Sequence, residues 1–142
     1  LYESNETLVP LNKEIEYINN YLDLQQLKND NSNHVVFEVS GDTTSIKVAP
    51  LLFIPFFENA FKHGDVLNTS EGSLTSSINI SQQTLQFKIQ NTFADNDRKD
   101  SVGGIGLENV RKRLALLYPD KHVLDIVSIN NIFTVHLTIE IL

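Results

Sequence analysis

The sequence predicts an α/β two-layer sandwich, with helices on one face of a mixed, mostly antiparallel sheet. Two observations lead there. Apolar residues recur at helical spacing in three segments and alternate with polar ones in five others. Taken in order, the segments run helix, strand, helix, hairpin, loop, helix, hairpin, and each hairpin is an antiparallel pair. Composition agrees, since 41% hydrophobic and 20% charged residues over 142 positions suit one globular domain.

Leu11, Ile15, Ile18 and Leu22 form a helical stripe through 11–28, with Glu14, Glu16 and Asp23 read as lying off it. The polar run Asn29–Asn33 ends that helix, and Val35, Phe37 and Val39 then alternate as a half-buried strand. A second helix is predicted from Pro50 to His63, with Pro55 tolerated near its first turn and Gly64 as a left-handed stop. Residues 73–81 and 84–90 form a hairpin across Gln82-Gln83, and Thr92–Ser101 is a polar loop. Leu107, Val110, Leu114 and Leu117 give a third helix closed by Pro119. Strands over 123–129 and 133–141 finish the chain, with Asn130-Asn131 at their turn.

The chain has no cysteine, which excludes disulfides, thiolate metal sites and a cysteine nucleophile. With no methionine and Leu1 at its start, it is expected to be a piece of a longer protein. The longest apolar run, Val48 to Phe57, is about half the length of a membrane helix and contains two prolines. A net charge of −7 argues against nucleic acid as a partner. The charge is nevertheless uneven: Arg98, Lys99, Arg111, Lys112 and Arg113 crowd around Gly103, Gly104 and Gly106, where bare backbone before a helix suits a phosphate.

Within the second helix, Glu58, Asn59, Lys62 and His63 fall on an arc of roughly 140°. An amphipathic helix with a surface ion pair is the plain alternative. The apolar residues at both ends of the arc favour a cleft wall instead, and the set supplies an oxygen ligand, a base and two phosphate-directed donors. Such a set suits a magnesium nucleotide, because Mg²⁺ takes few protein oxygens beside the phosphates. Asp95, Asp97 and Asp100 mimic a calcium loop, but Asp100 stands where such a loop needs glycine.

Together, Glu58-Asn59-Ala60-Phe61-Lys62-His63-Gly64 and the run from Gly104-Ile105-Gly106-Leu107 through Asn109-Val110-Arg111 to Leu114 resemble the N and G2 boxes of the sensor histidine kinase ATP-binding domain. The resemblance is strongest to the LytS type and extends through Tyr118, while the stretch from Val9 to Leu22 is similar to that type's linker helix. It implies a Bergerat (GHKL) fold, with residues 1–32 as a linker helix and 33–142 as the ATP-binding domain. It also implies ATP and Mg²⁺ as cofactors: Asn59 as metal ligand, Glu58 as the catalytic residue that polarises the nucleophile, and Lys62 and His63 on phosphate or ribose oxygens. Gly104, Ile105, Gly106 and Leu107 would line the phosphate end under a lid over Thr92–Gly103. Arg111 or Arg113 would join them, and the sequence leaves open which.

Two departures stand out. The family's G1 box carries an Asp that accepts from the adenine amino group, and here Asn91-Thr92-Phe93 stands in its place without glycine. Asn91 Oδ1 can accept the same bond without the charge. Asn131 lies where many relatives place an adenine-binding Thr. The phosphoacceptor His is absent, so the resemblance implies that the acceptor is a helical domain upstream in the same parent. Further expectations are a response regulator of the LytTR type, a homodimeric, membrane-anchored parent and a cytoplasmic location for this domain. A catalytically weakened nucleotide sensor or scaffold is the alternative.

Overall fold

The computed structural model describes residues 7–27, 34–67, 71–93 and 105–141. Its elements are β1 (Val9–Pro10), α1 (Leu11–Gln26), β2 (Val35–Ser40), β3 (Lys47–Val48), α2 (Ile54–His63), β4 (Leu74–Ser81), β5 (Thr84–Thr92), α3 (Ile105–Leu117), β6 (His122–Ile129) and β7 (Ile132–Glu140). Five strands form one sheet in the order β2-β4-β5-β7-β6, parallel only between β2 and β4. The mixed, mostly antiparallel sheet is as the sequence predicts.

Burial alternates along the central strands. Leu74, Ile78, Leu85, Phe87, Val135 and Leu137 are buried, while Thr75, Gln86, Lys88 and His136 on the other face are exposed. One face therefore carries the helical layer. The core joins that face to Leu11, Ile18 and Leu22 of α1, Phe56, Phe57 and Ala60 of α2, and Leu107, Val110 and Leu114 of α3.

Several local readings are corrected. Glu14 does not lie off the α1 stripe. It is three residues from Leu11 and four from Ile18, so the helix turns it inward, and it is 1% exposed. The second helix starts at Ile54 rather than Pro50, with 50–53 forming a turn and Pro55 tolerated in the opening turn. Gly64 is extended (φ −87°, ψ 177°), so its glycine is not required by a left-handed stop. The ladder of β1 with β3 has two residues per strand, too few for any periodicity to reveal. Both hairpin turns sit where expected, with positive φ at Gln82 and at Asn130 and Asn131.

Candidate functional site

The apolar residues of α2 bury one side of that helix, and Asn59 falls at the margin of this buried side. It is 8% exposed, and its amide hydrogen-bonds to no described residue. Glu58 and Lys62 are exposed and His63 is half-buried. The surface ion pair that would make this an ordinary amphipathic helix does not form: among the described residues the ion pair is Lys13–Glu16, at 3.8 Å.

Asn91 is 5% exposed and lies inside the last residues of β5, because that strand runs on to Thr92. Its Nδ2 donates to Thr92 O at 2.9 Å. Gly64 explains how it fits. A Cβ there would come within 2.4 Å of Asn91 Nδ2, 2.5 Å of Ala60 O and 2.8 Å of Thr92 O. The end of α2 thus rests directly on the end of β5, and the sequence signal is the glycine after Lys62-His63. Gly64→Ala is expected to cost about 1–3 kcal/mol through this overlap with backbone. Thermal unfolding would measure the loss, and the Asn91 side-chain amide resonances should move with it.

A lattice of hydrogen bonds that the sequence does not reveal closes the same end of the sheet. Asp65 N donates to Thr92 O at 3.1 Å, Thr92 Oγ1 to Asp65 Oδ1 at 2.5 Å, and Ser73 N to Thr92 Oγ1 at 3.0 Å. Thr92, read as the first lid residue, is instead the strand-end partner of the turn after α2. Phe93 is buried and its N–H donates to Asn131 O at 3.0 Å. Asn131 is exposed, and its positive φ marks it as a turn residue.

Gly104 and the remainder of the predicted lid lie outside the described residues. Ile105 and Gly106 open the backbone of α3, and Leu107 is fully buried beneath it. Arg111 is exposed, whereas Arg113 donates through Nη1 to Leu51 O at 3.2 Å and through Nη2 to Pro50 O. Arg113 therefore ties α3 to the turn before α2. Between these elements, Leu52, Pro55, Asn109, Val110 and Arg113 line a mainly apolar cleft of about 260 Å³.

From α1, Tyr21 packs edge-on against Phe61 of α2, with ring centroids 6.0 Å apart. Burial, with the Glu58 carboxylate and the Tyr17 phenol nearby, pushes the Tyr21 phenol up to about 12. A raised folded-state value means that the unfolded chain loses this proton first. The resulting stability is whole below the ordinary value of about 10 and is lost as pH climbs through about 12. Burial also raises the Tyr118 phenol, so a phenolate absorbance titration should show late-titrating tyrosine absorbance that Tyr21→Phe reduces without abolishing.

No family model matches the chain. The sensor protein LytS of Oceanobacillus iheyensis is 29% identical over 130 residues, covering 80% of this chain and 22% of that protein. LytS of Enterococcus faecalis is 26% identical over 125 residues, covering 80% of this chain and 21% of that protein. The chain thus spans about a fifth of the length of the curated relatives it matches. Among solved structures, the catalytic domain of the histidine kinase ThkA superposes with a TM-score of 0.62 at 14% identity, over 94% of both chains. The histidine kinase AdeS of Acinetobacter baumannii gives 0.62 at 16% identity, over 98% of this chain and 68% of that one. The chain is LytS-like in sequence along four-fifths of its length and has the Bergerat-type fold of a histidine kinase catalytic domain.

Proposed function

We propose that the chain is the ATP-binding catalytic domain of a two-component sensor histidine kinase, a protein-histidine kinase that positions Mg-ATP for transfer to a His upstream in its parent. The observation that carries this reading is Asn59, an almost buried amide with no described hydrogen-bond partner, on the helix whose C-terminal end rests on Asn91. The Asn59 amide is not sealed from solvent, so a ligand can reach it. The residues present fit a magnesium nucleotide: an oxygen donor at Asn59, exposed Glu58 and Lys62 one helical turn apart, and a neutral acceptor at Asn91 Oδ1.

In this reading Asn59 holds the Mg²⁺, Lys62 and His63 meet phosphate or ribose oxygens, and Asn91 reads the adenine amino group. Gly104, Ile105, Gly106 and Leu107 offer backbone N–H groups at the phosphate end. Glu58 is the catalytic residue, accepting from the incoming imidazole or from a water that it orients. The bound magnesium nucleotide supplies the phosphoryl group and neutralises its charge, so the chain contributes chiefly position and electrostatics.

Residues 1–32 would lead in as the linker helix and 33–142 would hold the nucleotide. The parent would be a membrane-anchored homodimer with its phosphoacceptor helices upstream and this domain in the cytoplasm. No described helix is long and apolar enough to cross a membrane. ThkA has been solved in complex with the response regulator protein TrrA. By that likeness a response regulator, of LytTR type from the LytS resemblance, receives the phosphoryl group here.

Mixing the chain with the upstream helical segment of its parent and γ-labelled ATP tests the proposal. Label on an upstream His, lost in Glu58→Gln, is the expected result. Nucleotide binding without transfer would instead favour a weakened sensor or scaffold, the reading that the uncharged Asn91 suggests.

A further inference from the structure

The turn at 49–52, just ahead of α2, has most of its backbone polar groups held by side chains from elsewhere. Ala49 N donates to Tyr118 Oη at 2.9 Å, and Pro50 O and Leu51 O accept from Arg113. Leu52 N donates to Glu14 Oε1 of α1 at 3.2 Å. Leu51 has a φ of 54°, a left-handed conformation that is strained for a side-chain-bearing residue and persists only where the surroundings impose it. Glu14, 1% exposed, is the part of those surroundings that α1 supplies.

A carboxylate is a poor choice for that position if packing is all that is required. Apolar side chains of similar volume often replace buried charges at no cost in stability, so what Glu14 supplies beyond packing is its acceptor for Leu52 N. The turn it reaches is a junction. Glu14 reaches the turn from α1, Arg113 and Tyr118 reach it from α3 and the residue just after it, and α2 begins two residues beyond Leu52. Tyr21 against Phe61, about two turns farther along α1, continues the same contact between α1 and α2.

We infer that Glu14 is a positioning residue through which α1 sets α2 against α3. With α1 seated, Glu14 fixes the left-handed turn, the turn fixes the start of α2, and Arg113 holds α3 to the same carbonyls. With α1 displaced, Leu52 N–H loses its acceptor and the turn relaxes, so α2 is freed from α3. Any pull or rotation arriving along α1 is thereby read out as a change in the cleft between those helices. Its consequence for nucleotide rests on the function proposed above, but the mechanical coupling does not.

Hydrogen exchange on the whole chain, comparing Glu14→Leu with Glu14→Gln, tests the inference. Glu14→Leu should speed exchange at Ala49, Leu52 and the first turns of α2 by about tenfold, the effect of losing one charge-assisted bond, with β5 and β7 unchanged. Glu14→Gln keeps an acceptor oxygen and should restore slow exchange. Unchanged exchange in Glu14→Leu, or a rise spread evenly over β5 and β7, would overturn the inference. If Glu14→Leu does not fold, Arg113→Lys takes its place: it removes the two-pronged grip on Pro50 O and Leu51 O from the other side, and the same local pattern is required. Mg-ATP affinity, measured in parallel, should fall about tenfold in Glu14→Leu and return in Glu14→Gln. Wild-type protein that binds no nucleotide would sink the proposed function, while the exchange comparison would still decide the coupling.

Discussion

Asn59→Ala should lower the affinity for magnesium nucleotide by about 10- to 100-fold, the effect of losing one contact to a charged ligand worth roughly 1.5–3 kcal/mol. The fold should survive. Asn59 makes no side-chain hydrogen bond to a described residue, and alanine is the better helix former at that position. The loss should also depend on the metal: nucleotide binding in excess chelator should be equally weak in both proteins. Calorimetric titrations with and without Mg²⁺, beside circular dichroism of each protein, would show this. An Asn59→Ala protein that is folded and binds Mg-ATP as tightly as the wild type would remove Asn59 from the site.

The largest effect on stability is expected at Phe87. It is 1% exposed on the covered face of β5, with ring centroids 4.9, 5.5 and 5.8 Å from Phe53, Phe56 and Phe57. Those three rings come from the start of α2 and the residue before it, so Phe87 is where the helical layer meets the middle of the sheet. Phe87→Ala leaves a cavity that these neighbours cannot all fill, and should cost about 3–5 kcal/mol. For a chain of this length that is a fall of about 10–15 °C in the midpoint of thermal unfolding. It is also a large share of the roughly 5–15 kcal/mol by which domains are stable. Phe87→Leu should recover most of the loss, and a Phe87→Ala midpoint within two or three degrees of wild type would contradict this placement of the core.

The sequence carried the architecture because the elements that build it are long enough to show a period. The stripe of α3 and the alternation of β5 and β7 each survive over nine or more residues. The two-residue strands β1 and β3 show none, and they bring the start of α1 up to the turn before α2. The chemistry followed the same division. Asn59 stands out as a polar residue in an apolar helix, Asn91 stands out only against the family's G1 box, and Gly64 reads as a left-handed stop although the structure instead sets it against Asn91.

The junction at 49–52 was illegible for a different reason. Nothing in Ala49-Pro50-Leu51-Leu52 signals a left-handed leucine, and without that turn there is no cause to expect Arg113 on backbone carbonyls. Glu14 was hidden by its charge, since a carboxylate at an inward position reads as polar surface until its acceptor role toward Leu52 N is seen. Thr92 reads as loop in the sequence because the polar run after it masks the last residues of β5.

The central claim is that α2 and the end of β5 form one nucleotide site, and its most direct test is a Mg-ATP titration followed by NMR at assigned side-chain amides. Saturable shifts are expected at the Asn59 and Asn91 side-chain amides and at the Leu107 backbone N–H, with a single affinity that is lost when Mg²⁺ is chelated. Absence of shifts at millimolar Mg-ATP, or saturable shifts confined to the opposite, uncovered face of the sheet, would contradict it.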